Sequence, residues 1–151
     1  MAKQPSARAR SLELLEAFVG EWTEQVELPD APPGRVVFEW AVGGQFLVQR
    51  SEIPHPDVPD SLAIMAAAAD GEGYTQHYFD SRGVVRVYAM GFSDGVWTLV
   101  RDAPDFTPLD FPQRFTGTFA EDGRTIEGAW ETSPDGVNWQ HDFALTYTRI
   151  T

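Results

Sequence analysis

The chain has no cysteine among its 151 residues. That excludes disulfides, thiolate metal sites and cysteine nucleophiles together. It fits a reducing compartment, so a cytoplasmic location is the expectation. Basic residues are scarce: 11 Lys and Arg stand against 23 Asp and Glu, a net charge of −12. Nucleic acid and anionic membranes both need clustered cations, so neither is expected as a partner. Long apolar runs are missing too. The longest, Leu62 to Ala69, is too short to cross a bilayer and reads as a buried strand. Met1 to Arg10 is polar and basic and lacks the apolar run of a secretory signal. The three histidines show no HExxH or H-x-H spacing, so no metal site is expected. No P-loop, dinucleotide fingerprint or G-x-S-x-G elbow occurs, and these patterns therefore imply neither a cofactor nor a catalytic class.

Aromatic side chains, by contrast, are plentiful: ten Phe, five Trp and four Tyr make 13% of the chain. They favour strands and line apolar pockets. Turn residues punctuate the chain at short intervals, as at Gly43-Gly44, Asp70-Gly71, Ser81-Arg82-Gly83, Asp94-Gly95, Asp122-Gly123 and Pro134-Asp135-Gly136. Between them lie ten strand-like segments: 22–28, 35–42, 45–53, 61–69, 73–80, 84–92, 96–102, 113–119, 125–131 and 137–150. Consecutive strands joined by tight turns pair antiparallel. The expected fold is all-β, a single ten-stranded up-and-down barrel, with an open two-sheet sandwich as its rival. Residues 1–10 read as a flexible tail and residues 11–151 as the barrel domain. Ser11 is placed to cap a short helix carrying Leu12, Leu14, Leu15, Phe18 and Val19 at helical spacing.

Gly20-Glu21-Trp22 opens the first strand, and Tyr147-Thr148-Arg149 ends the last. This pairing resembles the calycin superfamily, which holds the lipocalins and fatty-acid-binding proteins. There the Trp closes one barrel end and a late Arg packs across it, which implies that role for Trp22 and Arg149. The stretch Phe38-Glu39-Trp40-Ala41-Val42-Gly43-Gly44-Gln45-Phe46-Leu47 is similar to bacterial lipocalin-like domains of unassigned function. A weaker similarity is to nitrobindins, ten-stranded barrels that hold haem through a histidine on the last strand. That likeness implies haem as a cofactor, His141 as its axial ligand, and nitric oxide or peroxynitrite chemistry.

Side chains alternate inward and outward along a barrel strand. The last segment then sets Trp139, His141, Phe143, Leu145 and Tyr147 on one inward face. Trp22, Val26 and Leu28 inward carry Glu24 with them. Phe115 and Gln113 share an inward face, as do Ile126 and Trp130. Segments three, five, six and seven have two mixed faces, and alternation leaves their orientation open. They hold Arg50; Gln76 and Tyr78, opposed by His77; Arg86 and Tyr88; and Trp97 with Arg101. The candidate ligand-binding set is His141, Arg101, Arg50, Gln76, Tyr78, Tyr88, Trp97, Trp130, Phe115 and Trp139. The aromatics supply apolar contact, and Arg50 or Arg101 a partner for a carboxylate. The loop from Asp102 to Phe111 is expected to flank the mouth.

The expected function is binding of a small apolar or amphipathic molecule. Haem binding through His141, and a barrel enzyme using His141 or a cavity carboxylate as acid and base, are the alternatives. Catalytic residues are not assignable from spacing, and monomer and homodimer are equally open.

Overall fold

A computed structural model describes residues 6–150. Helix α1 (Ala7–Leu14) tightens into a 3-10 turn at Leu15–Phe18, and ten strands follow. They are β1 (Gly20–Val26), β2 (Gly34–Ala41), β3 (Phe46–Glu52), β4 (Ser61–Ala67), β5 (Tyr74–Asp80), β6 (Val85–Ser93), β7 (Val96–Arg101), β8 (Gln113–Phe119), β9 (Thr125–Thr132) and β10 (Gln140–Arg149). Each strand pairs antiparallel with its chain neighbours, and β1 pairs with β10, so the sheet closes. Closure leaves no free edge for another chain to extend. Among the described residues no helix is long and apolar enough to cross a membrane.

The helix starts earlier than the Ser11 cap predicted. Ser6 caps it, its Oγ accepting from the Ala9 N–H at 3.0 Å. The expected tail therefore divides: residues 1–5 lie outside the described residues, and Ala7 to Arg10 are helical. Ser11 anchors the helix instead. Its hydroxyl donates to the Gly71 carbonyl at 3.2 Å, and its own carbonyl accepts from the Tyr74 hydroxyl at 2.6 Å. Gly71 suits this contact, because its φ is +78° and a Cβ there would stand 2.6 Å from the Ala7 Cβ.

An up-and-down barrel sorts its connections onto two ends. The β2–β3, β4–β5, β6–β7 and β8–β9 turns share one end with α1, and that end is plugged. Phe18 inserts from the 3-10 turn, its ring 4.9–5.2 Å from Phe38, Phe92, Trp97 and Phe119. Trp22 is fully buried beside it and donates from Nε1 to the Phe18 carbonyl at 2.8 Å. The Arg149 guanidinium lies 4.2 Å over the Trp22 ring and donates to the Val19 and Ala17 carbonyls, both at 2.6 Å. This is the closure expected of Trp22 and Arg149. Each cation–π or aromatic pair of this kind adds about 0.5–1.5 kcal/mol beyond simple burial. The plug closes this end, and the cavity opens at the other.

Candidate ligand cavity

The open end carries the β1–β2, β3–β4, β5–β6, β7–β8 and β9–β10 connections, and a cavity of about 590 Å³ runs down from it. That volume lies within the range of about 300–1,000 Å³ that holds drug-sized ligands. The register decides its wall. In β5 the buried residues are Tyr74 and Gln76, with Tyr78 on the same face, so His77 points outward. In β7 Trp97, Leu99 and Arg101 are buried. In β3 it is Leu47, Gln49 and Ser51 that turn inward, which sends Arg50 and Glu52 out.

Six of the ten candidates line the cavity: Gln76, Tyr78, Tyr88, Trp97, Phe115 and Trp130. Tyr88, Trp130 and Phe115 form a continuous aromatic wall, with ring centroids 5.5 and 5.2 Å apart in that order. Gly117 and Gly128 face each other across β8 and β9, and a Cβ on Gly128 would stand 2.5 Å from the Phe115 ring. The two glycines make room for that ring to lie against the sheet. The loop between β7 and β8 reaches the mouth through Phe111, as expected.

Four candidates lie elsewhere. Arg50 is 59% exposed and pairs with Glu39 on the outer face at 3.3 Å. Arg101 is inward but spoken for. Its Nε and Nη2 donate to the two Asp105 carboxylate oxygens at 2.9 and 3.0 Å, and Nη2 also donates to the Thr107 carbonyl at 2.7 Å. Hydrogen bonds from Arg101, together with the Thr107 and Val87 backbone N–H groups, hold the Asp105 carboxyl well below the usual range despite its burial. Arg101 is thus a latch for the β7–β8 loop, not a ligand for a guest. Trp139 sits at the rim under the Arg114 guanidinium, 4.3 Å from its ring.

His141 is the fourth. Between His141 and Phe143 the β9–β10 pairing shifts register by a bulge. One extra residue reverses the alternation, so Phe143, Leu145 and Tyr147 line the cavity with Asp142, while His141 does not. Its Nε2 lies 3.1 Å from Glu27 Oε1, and both side chains are more than half exposed. His55 and His77 do not line the cavity either. These residues do not fit a haem held by an axial imidazole inside the barrel. Hemin titration is therefore expected to give no Soret band that His141→Ala alters; a stoichiometric band abolished by that substitution would reverse this assignment.

The cavity floor is polar where β1 meets β10. Glu24, inward as its spacing implied, is 6% exposed and faces Tyr147 in the strand register. Burial pushes its carboxyl up to about 7, and the hydrogen bond from the Tyr147 hydroxyl only partly opposes this. Gln49 Nε2 reaches the Tyr147 oxygen at 3.5 Å from β3. Four buried side-chain atoms have no hydrogen-bond partner among the described residues: Glu24 Oε2, Gln76 Oε1, Arg86 Nε and Trp97 Nε1. All four residues line the cavity. Near the mouth, Asp80 accepts from Tyr78 at 2.8 Å and from Arg82 at 2.6 Å. Burial there works against its charge, but the bonds from Arg82 and Tyr78 outweigh it and hold the carboxyl down to about 2.

In fold the chain is similar to the crystal structure of Rv2717c from M. tuberculosis, with a TM-score of 0.60 and 17% sequence identity over 95% of this chain and 99% of that one. At this identity the likeness is one of fold. No protein-family model matches the chain, and no curated protein does.

Proposed function

We propose that the barrel binds a small amphipathic molecule in the cavity beneath the β7–β8 loop. The observation that carries this reading is a cavity of about 590 Å³ that joins an aromatic wall, Tyr88–Trp130–Phe115, to a polar floor of Glu24, Gln49 and Tyr147. Apolar walls with a few polar groups are what small-molecule sites are built from. The wall holds the apolar part of a guest and the floor its polar end.

Nile red, a neutral fluorophore that brightens in apolar surroundings, tests the cavity. Saturable one-to-one enhancement is expected with the native protein. Ala63 and Ser51 are buried and line the cavity. Ala63→Trp and Ser51→Trp, each verified as folded by circular dichroism, are expected to weaken binding by about tenfold or more, since an indole takes up the guest's volume. Enhancement unchanged in both folded variants would place the dye on the surface and remove the proposal.

A further inference from the structure

One cation in the cavity wall has no counter-charge, and this inference rests on the cavity reading above. Acids outnumber bases by 23 to 11, and five arginines hold carboxylates: Arg35, Arg50, Arg82, Arg101 and Arg114. Arg86 lines the cavity near its mouth and forms no salt bridge among the described residues. Only its Nε is sealed off without a partner, so Nη1 and Nη2 are the atoms that meet a guest. A guanidinium withdrawn from bulk water is ordinarily paired, and its planar fork matches a carboxylate.

The fold ties the backbone down on both sides of Arg86. The residue sits at the start of β6, opposite Tyr78 of β5. β7 pairs with β6 only from Ala89 onward, and the β7–β8 loop covers the stretch before it. Asp105 Oδ2 accepts from the Val87 N–H at 2.7 Å, and the Thr107 hydroxyl donates to the Val85 carbonyl at 2.7 Å. Asp105 is engaged by Arg101, Val87 and Thr107, and Asp80 by Arg82 and Tyr78. Neither acid neutralises Arg86. Tyr88 and Gln113 add neutral donors on the same side of the cavity. The Tyr88 hydroxyl lies beside the Arg86 guanidinium and donates to Gln113 Oε1 at 3.4 Å. That leaves Gln113 Nε2 as the end that can donate to a guest.

The acids that line the mouth, Glu27, Asp57 and Asp142, are exposed to water and stand on other walls. Glu27 follows β1, which lies opposite β6 in the ten-strand ring. The net charge of −12 acts from a distance, and physiological salt screens it beyond about 8 Å. We infer that the β6–β8 side of the mouth is an anion subsite, where Arg86, Tyr88 and Gln113 hold the carboxylate of a guest whose apolar body lies on the aromatic wall. The guest is then polar at both ends, neutral toward the floor and anionic at the mouth. The part expected of Arg50 or Arg101 falls to Arg86, because Arg50 lies outside the cavity and Arg101 is bound to Asp105.

Three ten-carbon probes share a hydroxyl for the floor and differ at the mouth: 10-hydroxydecanoate, 1,10-decanediol and 10-amino-1-decanol. Each is measured at pH 7.5 by displacement of Nile red. The hydroxy acid is expected to bind about tenfold or more tighter than the diol or the amine, the factor of one charged hydrogen bond. In Arg86→Met and Arg86→Gln, checked as folded by circular dichroism, that advantage is expected to fall to about twofold or less. In Arg50→Met, which removes the same charge from the outer face, the advantage is expected to stay. The ranking in the native protein tests the subsite even where an Arg86 variant does not fold. Equal displacement by the three probes, or best displacement by the diol or the amine, overturns the subsite while the cavity reading stands. An advantage that survives in the Arg86 variants, or that Arg50→Met also removes, overturns it too. Nile red binding with no displacement by any probe overturns it as well, whereas absence of Nile red binding removes the cavity reading first.

Discussion

Trp22→Ala is expected to cost about 3–5 kcal/mol, the range for deleting a fully buried large aromatic. In a chain of this size that lowers the melting temperature by roughly 6–20 °C. The cost has several parts. The indole is fully buried, its N–H holds the Phe18 carbonyl, and Arg149 lies over its face. Without the ring, Phe18 loses support on one side and the 3-10 turn loosens over the plugged end. Trp139→Ala is the control. That ring is only half-buried at the rim and stacks under one arginine, so its loss is expected to cost about 1 kcal/mol or less. Thermal melts of the two variants decide the matter. Equal and small shifts would mean that Trp22 does not close the barrel.

Glu24 makes stability depend on pH in an unusual direction for a carboxylic acid. Its folded carboxyl stands at about 7, above the ordinary 4.5, because burial disfavours the charged form more than the Tyr147 hydrogen bond favours it. Below about pH 4.5 the group is protonated in both folded and unfolded chains, and its contribution is fully present. As pH rises toward 7 the unfolded chain ionises first and gains stability relative to the fold. Above about 7 the folded group ionises too, and the loss levels off at roughly 3 kcal/mol by linkage. Glu24→Gln removes this titration. The melting temperature of the variant relative to the native protein is therefore expected to climb by roughly 6–12 °C between pH 4.5 and 7.5. Parallel curves over that window would show that Glu24 titrates normally and is hydrated in the fold.

The arrangement of Glu24 was legible because β1 alternates cleanly: Trp22, Val26 and Leu28 are apolar, and Glu24 shares their face. Phe115 and Trp130 were legible for the same reason. His141 was not. Alternation carried it inward with Phe143, and a single extra residue in β10 turned it out to Glu27. A bulge of this kind leaves no residue signature when only one strand is read, since it is defined by two residues opposing one across the ladder. Gln49 and Ser51 were missed because both faces of β3 are mixed, with Phe46 and Val48 on the same side as Arg50 and Glu52, and alternation left its orientation open. Their signal is in the pairing: Leu47 and Gln49 stand opposite Trp40 and Phe38, residues of β2 that were already known to alternate inward.

Arg101 shows a second limit. Its partner Asp105 is only four residues away, yet what matters is that β7 turns the guanidinium inward and the loop folds back over it. A charge pattern in one dimension cannot distinguish that latch from a free cation waiting for a guest.

By itself the sequence determined ten strands and their turns in an antiparallel meander. These follow from local chemistry, from left-handed glycines at turns and from apolar residues recurring at every second position. The Trp22–Arg149 closure was implied by the calycin resemblance alone, and the structure decided the closed ring over an open sandwich. Only the tertiary structure decided the cavity, because its wall is assembled from nine of the ten strands, all but β2, and its polarity depends on which groups find partners. Glu24, Gln49 and Tyr147 meet at its floor from three different strands, and that is a property of the folded ring that no segment of the chain contains.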